Sequence, residues 1–166
     1  MNIGLTMSGG GYRASAYSLG ALSYLEALEL EQTTLLKHVK ALSTVSGGSI
    51  TSLSYAQSVK RSEPFAPYFQ RLFTFLTEED LVNEGISNFV SPGFKNSLIE
   101  GFARVYTEKL FDNATFESIL PEKTSTGVYD THLEFTCINA TEFNTGTPFR
   151  FIAQLPQLRH RIGNHY

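Results

Sequence analysis

The sharpest chemical signal in this 166-residue sequence is Thr44-Val45-Ser46-Gly47-Gly48. It places a serine where a strand-like apolar run gives way to a helix-like one, with glycine at the next two positions. A nucleophile elbow needs that arrangement, because the serine backbone is strained and its neighbours must be small. The usual pattern is G-x-S-x-G; here Thr44 stands at the first glycine, and its branched β-carbon is expected to crowd the turn. The competing reading makes Ser46 or Ser49 an ordinary helix N-cap. A second glycine turn, Ser8-Gly9-Gly10-Gly11-Tyr12-Arg13, also follows a strand-like run and opens a helix. Free N–H groups at a helix N-terminus, together with the helix dipole, favour an anion. That anion is either a phosphate or the oxyanion of an acyl-transfer intermediate.

Gly9 to Ala14 also satisfies the dinucleotide pattern G-x-G-x-x-A. That fingerprint wants an acid about 20 residues on, at the end of the second strand, to hold the ribose. The second strand ends instead in Thr44-Val45-Ser46, and Glu29 and Glu31 are expected at the end of the first helix, on the wrong element. No Gly-Lys-Ser/Thr follows either turn, so a P-loop is excluded.

The elements that must position these turns follow from apolar patterning. Residues 3–7 read as a short buried strand and residues 13–30 as a helix. That helix is apolar nearly all round, which predicts burial on both sides. Residues 38–45 read as a second strand and 49–61 as a second helix. Strand, glycine turn, helix, repeated, is an α/β alternation with a parallel sheet. Neighbouring parallel strands would bring both turns to one sheet edge, where α/β proteins bind ligands. A nucleophile beside preorganised backbone donors is the constellation that acyl transfer requires.

Residues 63–130 change character. They hold 12 of the 21 Phe and Tyr residues and read as a helical insertion whose aromatics form either its own core or a lipid-facing wall. Thr77-Glu78-Glu79-Asp80 looks like a capping box opening a helix, and Asn96 like the cap of another that carries Leu98, Phe102 and Val105. From His132 the pattern turns β: a strand over 133–140, a turn at Asn144-Thr145-Gly146 and a returning strand over 147–153.

Composition narrows the partners. A net charge of −3 with no basic block excludes nucleic acid. The single cysteine, Cys137, excludes an internal disulfide framework and a cysteine-built zinc site. No leader-like N-terminus and no apolar run near the ~20 residues of a membrane span are present, so the expectation is one cytoplasmic domain.

Taken together, Ser8-Gly9-Gly10-Gly11-Tyr12-Arg13-Ala14-Ser15 and Ser43-Thr44-Val45-Ser46-Gly47-Gly48-Ser49, about 35 residues apart, resemble the patatin-like phospholipase family. The Asn139-Ala140-Thr141 and Thr145-Gly146 stretch is similar to that family's strand-turn-strand. The resemblance implies an α/β sandwich and a Ser-Asp dyad that hydrolyses acyl esters of lipids, with Ser46 as nucleophile and Gly9, Gly10 and Gly11 as the oxyanion hole. Gly47 and Gly48 would support the elbow. Arg13 matches the family's basic position, although a structural ion pair at the helix start is an equal reading. No metal, nucleotide or other cofactor is implied; the partners implied are a lipid or acyl-ester substrate and peripheral membrane contact.

One part of the family pattern is missing. Its dyad Asp lies in a D-G-G/A motif, whereas Asp80, Asp112 and Asp130 are followed by Leu, Asn and Thr. The expectation is therefore a domain spanning 1–166 that is truncated, with an incomplete sheet, and inactive or nearly so by itself. The alternative is a non-catalytic lipid- or membrane-binding relative. A Ser-Asp-His order ending at His160 or His165 exists, but those histidines read as surface residues; His38 and His132, at strand starts, read as solvent-facing or capping. An unfinished sheet would expose an edge and apolar surface, and oligomeric state stays open.

Overall fold

The computed structural model describes residues 1–78, 80, 98–142 and 144–158. Strand β1 (Ile3–Met7) leads through helix α1 (Gly11–Ala27) and a small hairpin, β2 (Glu29–Leu30) and β3 (Thr33–Thr34), to strand β4 (Val39–Val45). Helix α2 (Gly47–Lys60) and helix α3 (Phe65–Glu78) follow, then helix α4 (Leu98–Lys109) and the antiparallel pair β5 (Phe135–Thr141) and β6 (Pro148–Gln154). The main sheet has the order β1-β4-β5-β6, with the first two pairings parallel and the last antiparallel. This is the α/β, mostly parallel sheet that the alternation predicts.

Both parallel crossovers step the same way, from β1 to β4 and from β4 to β5. Right-handed crossovers, the near-universal hand, then put their helices on one face of the sheet. Thr44, whose hydroxyl meets Ser49 and Ser52 of α2, marks that face. The residues opposite include Gly4, Thr6, Val45 and Ile152, which are exposed.

Helix α2 is the buried middle layer, and its buried residues are mostly small and polar: Ser49, Thr51, Ser52, Ser54, Gln57 and Ser58. Small side chains let α1 and the sheet approach closely, but each buried hydroxyl must find a partner. Ser52 and Ser58 donate back to the carbonyls of Ser49 and Tyr55, and Thr51 donates across to the Ser15 carbonyl at 2.9 Å. Tyr68, Leu72 and Phe75 of α3 join Leu19 and Leu22 of α1 and Val105 of α4 in one apolar core. At the far end of α2, the Lys60 ammonium donates to the Leu120 carbonyl at 2.7 Å and pairs with Asp130. Asp130 also accepts the Glu122 N–H at 3.0 Å, so one carboxylate fastens the 120–130 segment to α2.

Three expectations need correction. Helix α1 is not buried on both sides: Tyr17 is 82% and Tyr24 65% exposed, because only the Ser15, Ser18, Leu19 and Leu22 stripe packs inward. Its apolar surround comes largely from alanines and tyrosines, which tolerate water better than leucines do. Glu29 and Glu31 belong to the β2–β3 hairpin, where Glu31 and Gln32 take the positive φ of its turn. Thr77 and Glu78 lie in the last turn of α3, where the Thr77 hydroxyl donates back to the Phe73 carbonyl; the residues a capping box there would lead into lie largely outside the described ones. Asn96, expected as a cap, lies outside the described residues.

Candidate active site

Parallel pairing sets Met7 opposite Thr44, so β1 and β4 end together and both glycine turns leave the same sheet edge. Three hydrogen bonds then fix the turns. The Gly48 N–H donates to the Ser8 carbonyl at 3.2 Å, and the buried Ser15 hydroxyl donates to the Gly47 carbonyl at 2.6 Å. The third, from Thr51 to Ser15, locks the α1 residue that makes this bond. Glycine is needed for lack of space: a β-carbon on Gly47 would lie 2.2 Å from the Gly11 carbonyl oxygen, and one on Gly48 2.7 Å from that of Met7. A β-carbon on Gly9 would lie 3.2 Å from that of Ser46, so the first turn touches the serine itself. Gly10 and Gly11 adopt φ of 137° and 61°, where side chains are disfavoured.

Ser46 has φ 52° and ψ −121°, a left-handed conformation that is uncommon for a residue with a side chain. It occupies the position before α2, yet its hydroxyl makes no capping hydrogen bond, so the N-cap reading fails for Ser46. Such strain persists only where the surroundings over-determine it. Thr44 supplies much of that determination. Its side chain does not crowd the turn; it points into the α2 interface, with its hydroxyl 3.2 Å from that of Ser49 and 3.0 Å from that of Ser52. Its carbonyl accepts the Asn139 side-chain amide from β5 at 3.1 Å, and the same amide donates to Ser43 at 3.2 Å.

Beside Ser46 opens a cleft of about 300 Å³. Ser46, Gly11, Gly47 and Ser15 form its polar end, Tyr12 and Ile50 flank it, and Phe75, Leu76 and Tyr106 supply an apolar wall from α3 and α4. The aromatics of 63–130 therefore divide, with Tyr68 and Phe75 in the core and Phe75 and Tyr106 also walling the cleft. Burial pushes the Tyr106 phenol above its ordinary pKa, so it stays neutral there. Sequence reasoning did not single out Ser15, Thr51, Asn139, Phe75, Leu76 or Tyr106 for the site. Ser15 and Thr51 carried the only signal, as polar residues on otherwise inward-facing helix stripes.

Arg13 is exposed on the first turn of α1 and makes no ion pair among the described residues. The candidate bases lie elsewhere. Asp112 pairs with Arg61 at 2.8 Å and Asp130 with Lys60. His38 sits 3.0 Å from the Met1 carbonyl, and His160 and His165 lie outside the described residues. His132 is not solvent-facing but half-buried, with its Nε2 hydrogen-bonded to the Tyr55 hydroxyl at 3.1 Å.

Burial, helped by the charges of Lys37 and Lys40, lowers the His132 pKa to about 4, against a backbone hydrogen bond to Leu36 that raises it. The unfolded chain binds this proton below about pH 6.5 and the folded one only below about 4. Stability should thus fall as pH drops through that window, by on the order of 3 kcal/mol, and level off beneath it. Urea unfolding of His132→Gln should lose most of this slope; an unchanged slope would place the proton elsewhere.

The family described as patatin-like phospholipase matches residues 5–157, most of the chain. No curated protein and no solved structure gave a match.

Proposed function

Since the chain belongs to the patatin-like phospholipase family, and so to a family of lipid hydrolases, we propose that Ser46 is its nucleophile and the Gly9-Gly10-Gly11 turn its oxyanion hole. The observation that carries this reading is the left-handed backbone of Ser46, held in contact with Gly9 at the mouth of an apolar cleft. Ser46 Oγ would attack the ester carbonyl of a lipid whose acyl chain lies against Ile50, Leu76 and Tyr106. The carbonyl oxygen, now negative, would take hydrogen bonds from the N–H groups of the first turn, whose helix N-terminus adds a favourable dipole. The alcohol would leave with a proton, and water would then cleave the acyl-enzyme. Gly47 and Gly48 would serve by letting the two turns meet, and exposed Arg13 would be available to an anionic head group.

Asp112, Asp130, His38 and His132 are each held by partners away from Ser46, so none of the four stands ready to take its proton. General-base assistance is typically worth about 10²–10⁴-fold. The 166-residue chain should therefore react with a fluorophosphonate probe slowly and only at Ser46, and hydrolyse p-nitrophenyl butyrate at well below the ~10 s⁻¹ of ordinary enzymes. Labelling that survives Ser46→Ala would remove Ser46 from the role. Turnover at ordinary rates, abolished by that substitution, would mean that a base is present after all.

The ties that hold Asp112, Asp130, His38 and His132 away from Ser46 favour a second reading, a lipid-binding module that kept the fold without the chemistry. Folded protein that binds liposomes and takes no label at all would support it.

A further inference from the structure

The cleft beside Ser46 is lined by the serine and its neighbouring glycines and by apolar Phe75, Leu76 and Tyr106. At about 30 Å³ for each carbon-sized group, its 300 Å³ holds about ten such groups. A second groove of about 440 Å³ lies next to it, lined by Gln70, Arg71, Thr74 and Lys109 among others. Phe75 is the residue common to the two linings. Its side chain is 3% exposed and packs against the Tyr106 ring, 5.7 Å between centroids, so it is a fixed wall shared by the two spaces. The groove beyond carries two cationic side chains, one of which, Arg71, is tied to Glu63, Ser54 and the Leu110 carbonyl.

We propose that the cleft is a subsite for one acyl chain of about eight to ten carbons, and that Phe75 sets this length by closing the passage to the neighbouring groove. The proposal rests on the acyl-hydrolase reading for the identity of the ligand, and on the shared wall for its length.

Competition of saturated fatty acids from six to sixteen carbons against a fluorescent fatty acid, on the full chain and below micelle-forming concentrations, tests it. Burial of methylenes should tighten binding roughly tenfold for each two carbons until the cleft is full, near ten, and then flatten. Phe75→Ala should let the rise continue to about fourteen carbons by joining the two spaces, and Phe75→Leu should move the break to an intermediate length. The leucine variant keeps apolar bulk in the core and serves if the alanine variant does not unfold cooperatively. A wild-type profile that rises past twelve carbons, a break that does not move in folded Phe75 variants, or no dependence on length would each overturn the proposal. Fluorophosphonate labelling of the same samples separates the two ideas. Length-limited binding with no label retires the hydrolase reading and keeps the subsite; label without length-limited binding does the reverse.

Discussion

Gly47→Ala is expected to cost more than about 4 kcal/mol of folding stability, a loss at the far end of the range for single substitutions. Helix propensity alone argues the other way, since Gly47 begins α2 and alanine is the better helix former by about 1 kcal/mol. Sterics decide the sign. The new β-carbon would sit 2.2 Å from the Gly11 oxygen, 3.0 Å from its carbonyl carbon and 3.1 Å from its nitrogen. All three are backbone atoms, so no rotamer change can relieve the overlap. The two turns must separate by about 1 Å, which also strains the Ser15–Gly47 hydrogen bond and the Gly48–Ser8 bond. Gly20→Ala in α1 is the control, because nothing lies within 4 Å of its added β-carbon. That substitution should be neutral or stabilise by about 0.5–1 kcal/mol. Urea unfolding of both variants reads the contrast; a Gly47→Ala protein within about 1 kcal/mol of wild type would mean that the turns are not in contact as described.

Asp130→Asn should cost about 2–3 kcal/mol, because it strands a charge. The Lys60 side chain is only 11% exposed, and its partners are Asp130, the Leu120 carbonyl and, at 3.9 Å, the exposed Glu122. The asparagine keeps the Asp130 shape and its acceptor for the Glu122 N–H, so the loss isolates the ion pair. Lys60→Met added to Asp130→Asn should restore part of the loss, since no uncompensated ammonium then remains. A double variant as unstable as the sum of the two singles would show that the pair has no coupling. The pair is acid-labile as well. Burial raises the Asp130 pKa, but the Lys60 and Glu122 hydrogen bonds and the Lys60 charge outweigh it and hold the carboxyl below its ordinary value. Its contribution is therefore complete above about pH 4 and lost as pH falls below that, beneath the window in which His132 acts.

The architecture of the site was legible where local chemistry leaves little choice. Gly9-Gly10-Gly11 and Ser46-Gly47-Gly48 announce two tight turns because few other residues fit positive φ or near-zero clearance, and alternation of strands with helices forces them to one sheet edge. What stayed hidden depends on partners distant in the chain. Thr44 reads as an obstacle until its hydroxyl is seen among Ser49 and Ser52. Asn139 reads as a generic strand residue until β5 brings its amide to the Thr44 carbonyl. Phe75 and Tyr106 are two aromatics among many, and only packing distinguishes the pair that walls a cleft from those that merely fill a core. The exposed face of α1 was misjudged for a related reason: alanine and tyrosine count as apolar in a pattern, but neither is driven inward as leucine is.

The polar stitching between α1 and α2 also bears on the order in which the chain organises itself. Ser15 and Gly47, whose hydrogen bond joins the turns, are 32 residues apart, whereas Asn139 and Thr44 are 95 apart. Closing the shorter loop loses less chain entropy, so β1, α1, β4 and α2 are expected to organise first, with β5 and β6 adding to an edge already made. In kinetic terms the elbow takes rough shape early, and the last strands to arrive harden it. The Asn139 clamp on Thr44 can form only once β5 has joined, so Ser46 is expected to reach its final backbone conformation late in folding.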